Sequence, residues 1–332
     1  MQKKPKILVV GSFVMDLIVS TNKFPNSGET VLGTSFQTAP GGKGANQAVQ
    51  AARLGADVTM VGKVGNDDFG KRLVQSCKDS GIHTDFVAVD DTVSSAVGNV
   101  QLEVSENETR NRIIVVSGAN MTITPQDIAF LKDTIDRYDM VILQLEIPMQ
   151  INEIVAKYAF DKGVPVMLNS APSAPLSDEL LSCLTYISPN EHEAADLSGV
   201  KIRKDGKKVN EADVKAAVNV LLAKGVKNVI ITLGSAGAVV ANAKESVYAP
   251  CVDVVEVKDP TAAGDSFVGA FTTAVCAGLN HSQALDFANY TATLTVSRMG
   301  AQPSLPKFDE VITLMKEQNY SGFEFSLLNC LK

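Results

Sequence analysis

A chain of 332 residues has room for one large α/β unit with an appendage, or for two modest domains. With 45% hydrophobic and 20% charged residues it lies far from disordered chains, and a formal net charge of −7 sets its field against a nucleic-acid backbone or an anionic membrane. Five widely spaced cysteines without a C-x-x-C pair, three scattered histidines and, after Met1-Gln2-Lys3-Lys4, an apolar run too short for a signal region or a membrane span imply reduced, mostly buried thiols in a cytosolic protein, and argue against a His-based metal site or a Ser-His-Asp triad.

Apolar runs at 7–10, 58–61, 141–145, 164–168, 186–188 and 229–232 suit buried strands. Helix-period segments alternate with them, over 45–54, 69–80, 125–138, 149–162, 212–224, 265–277, 282–297 and 307–318. Gly55, Gly81, Gly163, Gly225 and Gly278 follow helical runs, where a left-handed C-terminal residue is needed. This alternation predicts an α/β fold with a parallel sheet.

Segments 16–39 and 94–117 break the rhythm with polar alternation and no helix, as in Leu17-Ile18-Val19-Ser20, Thr30-Val31-Leu32-Gly33 and the run from Gly98 to Val104. They predict a small antiparallel sheet, of the kind that closes over a site or pairs with another subunit. The chain thus divides into an α/β body (1–15, 40–93 and 118–320), a β lid (16–39 and 94–117) and a tail, 321–332, with no assigned role. The basic stretch 203–208 reads as a solvated loop.

Two glycine-rich stretches concentrate the chemistry. Gly41-Gly42-Lys43-Gly44-Ala45-Asn46-Gln47-Ala48 follows a strand-like run and opens a helix, so its first turn is expected to offer free N–H groups beside a cation, Lys43, and an amide, Asn46. A tight turn without a ligand fits the same pattern. The second stretch, from Asp259-Pro260-Thr261-Ala262-Ala263-Gly264-Asp265 to Ala270, puts small residues and a carboxylate at another helix start. Asp265 fits either a helix N-cap or a general base beside an anion hole.

Together these stretches resemble the signatures of the ribokinase-like (PfkB) carbohydrate kinases, in order and over about 7–306. Within that family Gly28-Glu29-Thr30, Gln144-Leu145-Glu146, Asn190-Glu191-His192-Glu193, Ile231-Thr232-Leu233-Gly234-Ser235 and Gly300-Ala301-Gln302-Pro303-Ser304 resemble the ribokinases. The resemblance implies a Rossmann-like three-layer α/β/α body and transfer of a phosphoryl group from ATP to the primary hydroxyl of ribose. Asp265 would be the general base, with Ala262, Ala263 and Gly264 as the anion hole. Asp16, Gly42, Lys43, Gly44, Ala45, Asn46 and Glu146 would hold the sugar next to Val14. ATP would meet Asn190, Thr232, Leu233, Gly234, Ser235, Ala236, Gly237 and Gly264, with Asn289 near the adenine.

Asn190 and Glu193 match the family's N-x-x-E motif, associated with Mg²⁺ and its waters, and equally fit a capping box. The resemblance also implies a K⁺ site from Asp259, Thr261, Thr295, Arg298, Gly300 and Ser304, and a homodimer through the lid. Val14 departs from the Asn found at this position in many ribokinases, which leaves ribose and 2-deoxyribose both open. A dinucleotide fold would need G-x-G-x-x-G where Gly11-Ser12-Phe13-Val14-Met15-Asp16 stands, and a P-loop would need Ser or Thr after Lys43, where Gly44 stands. A catalytically silent sugar sensor on the same fold has no use for Asp265.

Overall fold

The computed structural model describes residues 3–104, 109–206 and 208–332. Strand β1 (Lys6–Val10) leads into two strands of a separate sheet, β2 (Val14–Thr21) and β3 (Gly33–Gly41). Helix α1 (Lys43–Arg53), β4 (Asp57–Gly65), α2 (Asp68–Asp79) and β5 (His83–Asp90) follow, then the other two strands of the small sheet, β6 (Val97–Val104) and β7 (Thr109–Val116). Next come α3 (Leu131–Thr134), β8 (Met140–Gln144), α4 (Met149–Asp161), β9 (Val166–Asn169), α5 (Asp178–Cys183), β10 (Tyr186–Ile187) and α6 (Glu191–Ser198). The chain continues through β11 (Lys204–Asp205), β12 (Lys208–Val209), α7 (Glu211–Ala223), β13 (Asn228–Thr232), β14 (Ala238–Asn242) and β15 (Ser246–Ala249). Helices α8 (Ala263–Cys276), α9 (His281–Val296) and α10 (Phe308–Glu317) complete the body.

The large sheet runs β15-β14-β13-β10-β9-β8-β1-β4-β5; pairing is parallel from β13 to β5 and antiparallel at β14 and β15. Alternation along β1 explains the three layers. Ile7 and Val9 join α1, α2, α8, α9 and α10 on one face, whereas Leu8 and Val10 join α3, α4, α5, α6 and α7 on the other. The five glycines expected past helix ends all have positive φ. No helix among the described residues is long and apolar enough to cross a membrane. Cys77 and Cys183 are buried, and Cys251, Cys276 and Cys330 are half-buried.

The small sheet, ordered β3-β2-β6-β7, corrects the antiparallel expectation, because its central pair β2–β6 is parallel. The cause lies in the body: β1 and β5 run in the same direction, and β2 and β6 follow them from the carboxyl ends of the parallel strands. The helix expected at 125–138 is instead a series of i→i+3 turns around the four-residue α3, with Ile128, Leu131 and Ile135 still buried on one side. Spacings of three and four serve both kinds of turn. Elements β5, β14, β15 and α5 went unforeseen, α6 begins at the capping box that Asn190 and Glu193 allowed, and 203–208 includes part of the β11–β12 hairpin, where Lys204 Nζ donates to Leu233 O at 2.9 Å.

The tail is integrated into the body. Phe323, Leu328 and Leu331 are buried, and Tyr290, Tyr320, Phe323 and Phe325 form a run of edge-on ring contacts at 5.3–5.6 Å. Its end packs on the turn after α1, where a Cβ on Gly55 would stand 1.9 Å from Leu331 O.

Candidate active site

The start of α1 is closed by its own neighbours. Gly42, the N-cap, has φ 91°, and a Cβ there would lie 2.6 Å from Val14 N, so both conformation and space require glycine. A Cβ on Gly44 would lie 2.4 Å from Ser12 N. This close approach brings the end of β1 onto the helix. Lys43 N donates to Glu146 Oε2 (2.9 Å), Gly44 N to Ser12 Oγ (3.1 Å) and Ala45 N to Ser12 O (2.9 Å). The expectation of free N–H groups in this turn is therefore corrected: the protein itself satisfies them. Glu146, which also accepts from the Ser12 hydroxyl at 2.5 Å, is a partly buried cap on α1.

The start of α8 is arranged differently. Its N-cap is Ala262, in the left-handed region at φ 60°, a conformation that costs a non-glycine residue about 1–2 kcal/mol. Asp265 is the third residue of the helix, which overturns its N-cap reading. Only 6% exposed, Asp265 accepts from Asn46 Nδ2 on one oxygen and from Gln47 Nε2 on the other, both at 2.9 Å. Ala263 N turns back to Pro260 O, but the N–H groups of Ala262, Gly264 and Asp265 meet no acceptor among the described residues. A Cβ on Gly264 would meet nothing within 4 Å.

A cavity of about 230 Å³ opens here, between the start of α8, Lys43 and the ends of β9, β10 and β13. Its walls include Asp265, Gly264, Lys43, Asn190, Glu193 and Thr232. Such a place, outside the carboxyl ends of parallel strands, is where open α/β sheets bind ligands. Burial opposes the charge of Lys43, yet Asp265, Glu146 and Glu193 together hold its ammonium above the ordinary range. Burial raises Glu193 and outweighs the attraction of Lys43. Asn190 and Glu193 form a reciprocal capping box on α6 while facing this cavity.

Of the stretch from Thr232 to Gly237, Thr232 alone lines the cavity; Leu233, Gly234, Ser235, Ala236 and Gly237 form the adjoining turn, in which Leu233 N donates to Gly237 O at 2.8 Å. Asn289 stands apart, its amide donating to Ala249 O and Pro250 O.

Asp16 lies on the lid strand β2, paired with the strand β3 that runs directly into α1. A Cβ on Gly98 would stand 2.4 Å from one oxygen of Asp16, and a Cβ on Gly41 2.9 Å from the other, so the carboxylate occupies space left by two glycines. Burial, aided by Glu146, pushes Asp16 up to about 6. Val14 is buried at the root of the same strand.

The 298–304 loop is tied to Asp259, whose carboxylate accepts from Thr261 N (2.9 Å) and Gly300 N (2.8 Å). Ser304 is fully buried and donates to Ala301 O; the Thr295 carbonyl accepts from Arg298 N, and its hydroxyl donates to Ser266. Among the described residues no three His, Cys, Asp or Glu side chains gather as a metal cluster. One carboxylate among oxygen donors fits a weakly held monovalent ion better than a divalent cage.

A profile of the pfkB family carbohydrate kinases matches residues 4–308. The chain belongs to this family. The Bacillus subtilis ribokinase is 41% identical over 309 residues, covering 93% of this chain and 99% of that protein. The Schizosaccharomyces pombe ribokinase is 39% identical, covering 92% and 96%. The solved structure of Arabidopsis thaliana ribokinase complexed with ribose and ATP superposes with a TM-score of 0.85 at 33% identity, covering 95% of this chain and 99% of that one.

This carbohydrate kinase is thus a phosphotransferase with a sugar hydroxyl as acceptor. Its residues around Asp265 include several to which the sequence analysis assigned no role. Gln47, Gln144 and Asn169, with the Ser188 carbonyl, form a buried chain under Asp265, and Gly41 and Gly98 make room for Asp16. One signal was available in the sequence: Gln47 and Gln50 stand on the alanine-rich, inward stripe of α1, where a polar side chain needs a partner.

Proposed function

We propose that this carbohydrate kinase is a ribokinase, converting ribose and ATP to ribose 5-phosphate and ADP with Asp265 as general base. The observation that carries this reading is Asp265 itself: a buried carboxylate, oriented by two amides, at a cavity where N–H groups at a helix start lack acceptors. As the sugar O5 bonds to the γ-phosphorus and the bond to the β-phosphate oxygen breaks, the O5 proton passes to Asp265 and ADP leaves. The N–H groups of Ala262 and Gly264, the α8 terminus and Lys43 stabilise charge on the moving phosphoryl group. Asp16 and Glu146 accept from sugar hydroxyls, and the buried, unpartnered Oδ1 of Asn46 is a further acceptor. Val14, buried and apolar, offers no polar contact of its own to the 2-hydroxyl.

Mg²⁺ would be carried by the nucleotide phosphates, with Asn190 and Glu193, which line the cavity, to hold its waters; when bound it would neutralise phosphate charge. K⁺ fits the loop of Asp259, Thr261, Thr295, Arg298, Gly300 and Ser304, where it would order the anion-hole turn. The lid sheet closes over the sugar and excludes water, and its exposed Leu32, Phe36, Ile113 and Ile114 support a homodimer through this face. We divide the chain into an α/β body (1–15, 40–93 and 118–320), a β lid (16–39 and 94–117) and a tail, 321–332, that packs on the body.

A coupled ADP assay with ribose, in K⁺ and in a large organic cation, tests the reading. Asp265→Asn should lower kcat by about 10²–10⁴-fold while sugar affinity is retained. Turnover at the parent rate would remove Asp265 as the base.

A further inference from the structure

Asp265 is held from beneath by a chain of buried amides whose direction is fixed at the Asn169 end, while Gln144 Oε1 at the other end has no partner among the described residues. Gln47 is fully buried, and all of its side-chain hydrogen-bonding groups are engaged. Its Oε1 accepts from Gln144 Nε2 at 2.7 Å, and its Nε2 donates to Asn169 Oδ1 at 3.2 Å and to Asp265 Oδ1 at 2.9 Å. Asn169 cannot reverse, because its Nδ2 already donates to Ser188 O at 2.9 Å. Gln144, at the end of β8, lies over Gly11, where a Cβ would stand 1.9 Å from its Oε1. Glycine leaves the room in which that amide aims its N–H₂ at Gln47.

A reversed Gln47 would set oxygen against the Asp265 carboxylate and against Asn169 Oδ1, and would set N–H₂ against the N–H₂ of Gln144. Each is a buried mismatch. Gln47 therefore presents only a donor to Asp265. Asn46 supplies the donor to the other oxygen, so the plane of the carboxylate is set by consecutive residues of α1. We propose that Gln47, oriented by Asn169 and supported by the Gln144 donor, is a positioning residue that fixes the Asp265 carboxylate in the plane needed to receive the sugar proton. This inference rests on the role of Asp265 as the base.

The test is steady-state kinetics of ribose and MgATP turnover, with thermal melts, for Gln47→Met, Gln144→Met, the double variant and Asp265→Asn. Methionine keeps the volume and removes the amide. Gln47→Met should lower kcat by about 10–100-fold, the scale of a misplaced reacting group, with both KM values within about threefold of the parent. Gln144 does not line the cavity, yet Gln144→Met should lower kcat several-fold in the same way, with no further loss when added to Gln47→Met. A parent-like kcat in Gln47→Met, a loss appearing only in KM, or multiplicative effects in the double variant would overturn the proposal. If Gln47→Met does not fold, Gln144→Met decides by the same split between kcat and KM. Loss of turnover in Asp265→Asn with none in the glutamine variants refutes this inference alone, whereas full turnover in Asp265→Asn refutes the base assignment beneath it.

Discussion

The two glycine-rich helix starts look alike as strings of small residues, yet they do opposite work. At α1 the glycines allow backbone to meet backbone: Gly44 is pressed against Ser12, and the N–H groups of Lys43, Gly44 and Ala45 are taken by Glu146 and Ser12. At α8 the small residues leave space: Gly264 faces nothing within 4 Å, and its N–H has no acceptor among the described residues. A helix N-terminus becomes an anion site only when the fold leaves its donors unpaired and accessible. The first start is a joint that presents side chains, and the second is a pocket.

This contrast can be broken by adding one methyl group to each. Gly264→Ala should fold as well as the parent, or gain about 0.5–1 kcal/mol from helix propensity, while its new Cβ intrudes on the proposed phosphate site and lowers turnover by about 10²-fold. A melt and a kcat measurement check both halves; a normal kcat would mean that the phosphoryl group passes elsewhere. Gly44→Ala should do the reverse, losing about 1–3 kcal/mol of stability because its Cβ meets backbone that cannot rotate away. Denaturant unfolding measures this loss, and an unchanged midpoint would show that the joint is looser than described.

A smaller effect sharpens the comparison on the lid side. Asp16 is raised to about 6, so its carboxylate prevails above that pH and is lost as pH falls through it. The apparent sugar KM should then rise by about tenfold per pH unit below 6, with the ATP KM little changed. A sugar KM that stays flat from pH 7.5 to 5 would take Asp16 out of sugar binding.

Much of the body was legible because its signals are local. Ile7 to Val10 is apolar at every position, as a strand covered on both faces must be, and Gly55 or Gly163 ends a helix by adopting positive φ. Edge elements were less legible: β5 carries His83, Thr84, Asp85 and Asp90, since only one of its sides is paired. The tail lies beyond the family match, and its aromatic residues gave no period from which to foresee burial against α9 and Gly55.

Periodicity and glycine placement specified the α/β layering, the existence of a separate small sheet and the two motifs that hold Lys43 and Asp265, because burial pattern and backbone conformation are properties of neighbouring residues. The satisfied N–H groups of α1, the parallel pairing inside the lid and the amide chain beneath Asp265 came from the folded arrangement. Lys43 N meets a carboxylate 103 positions away, and Gln47 meets Asp265 across 218. Hydrogen bonds over such separations depend on how layers pack, and that information is absent from any local window of the chain.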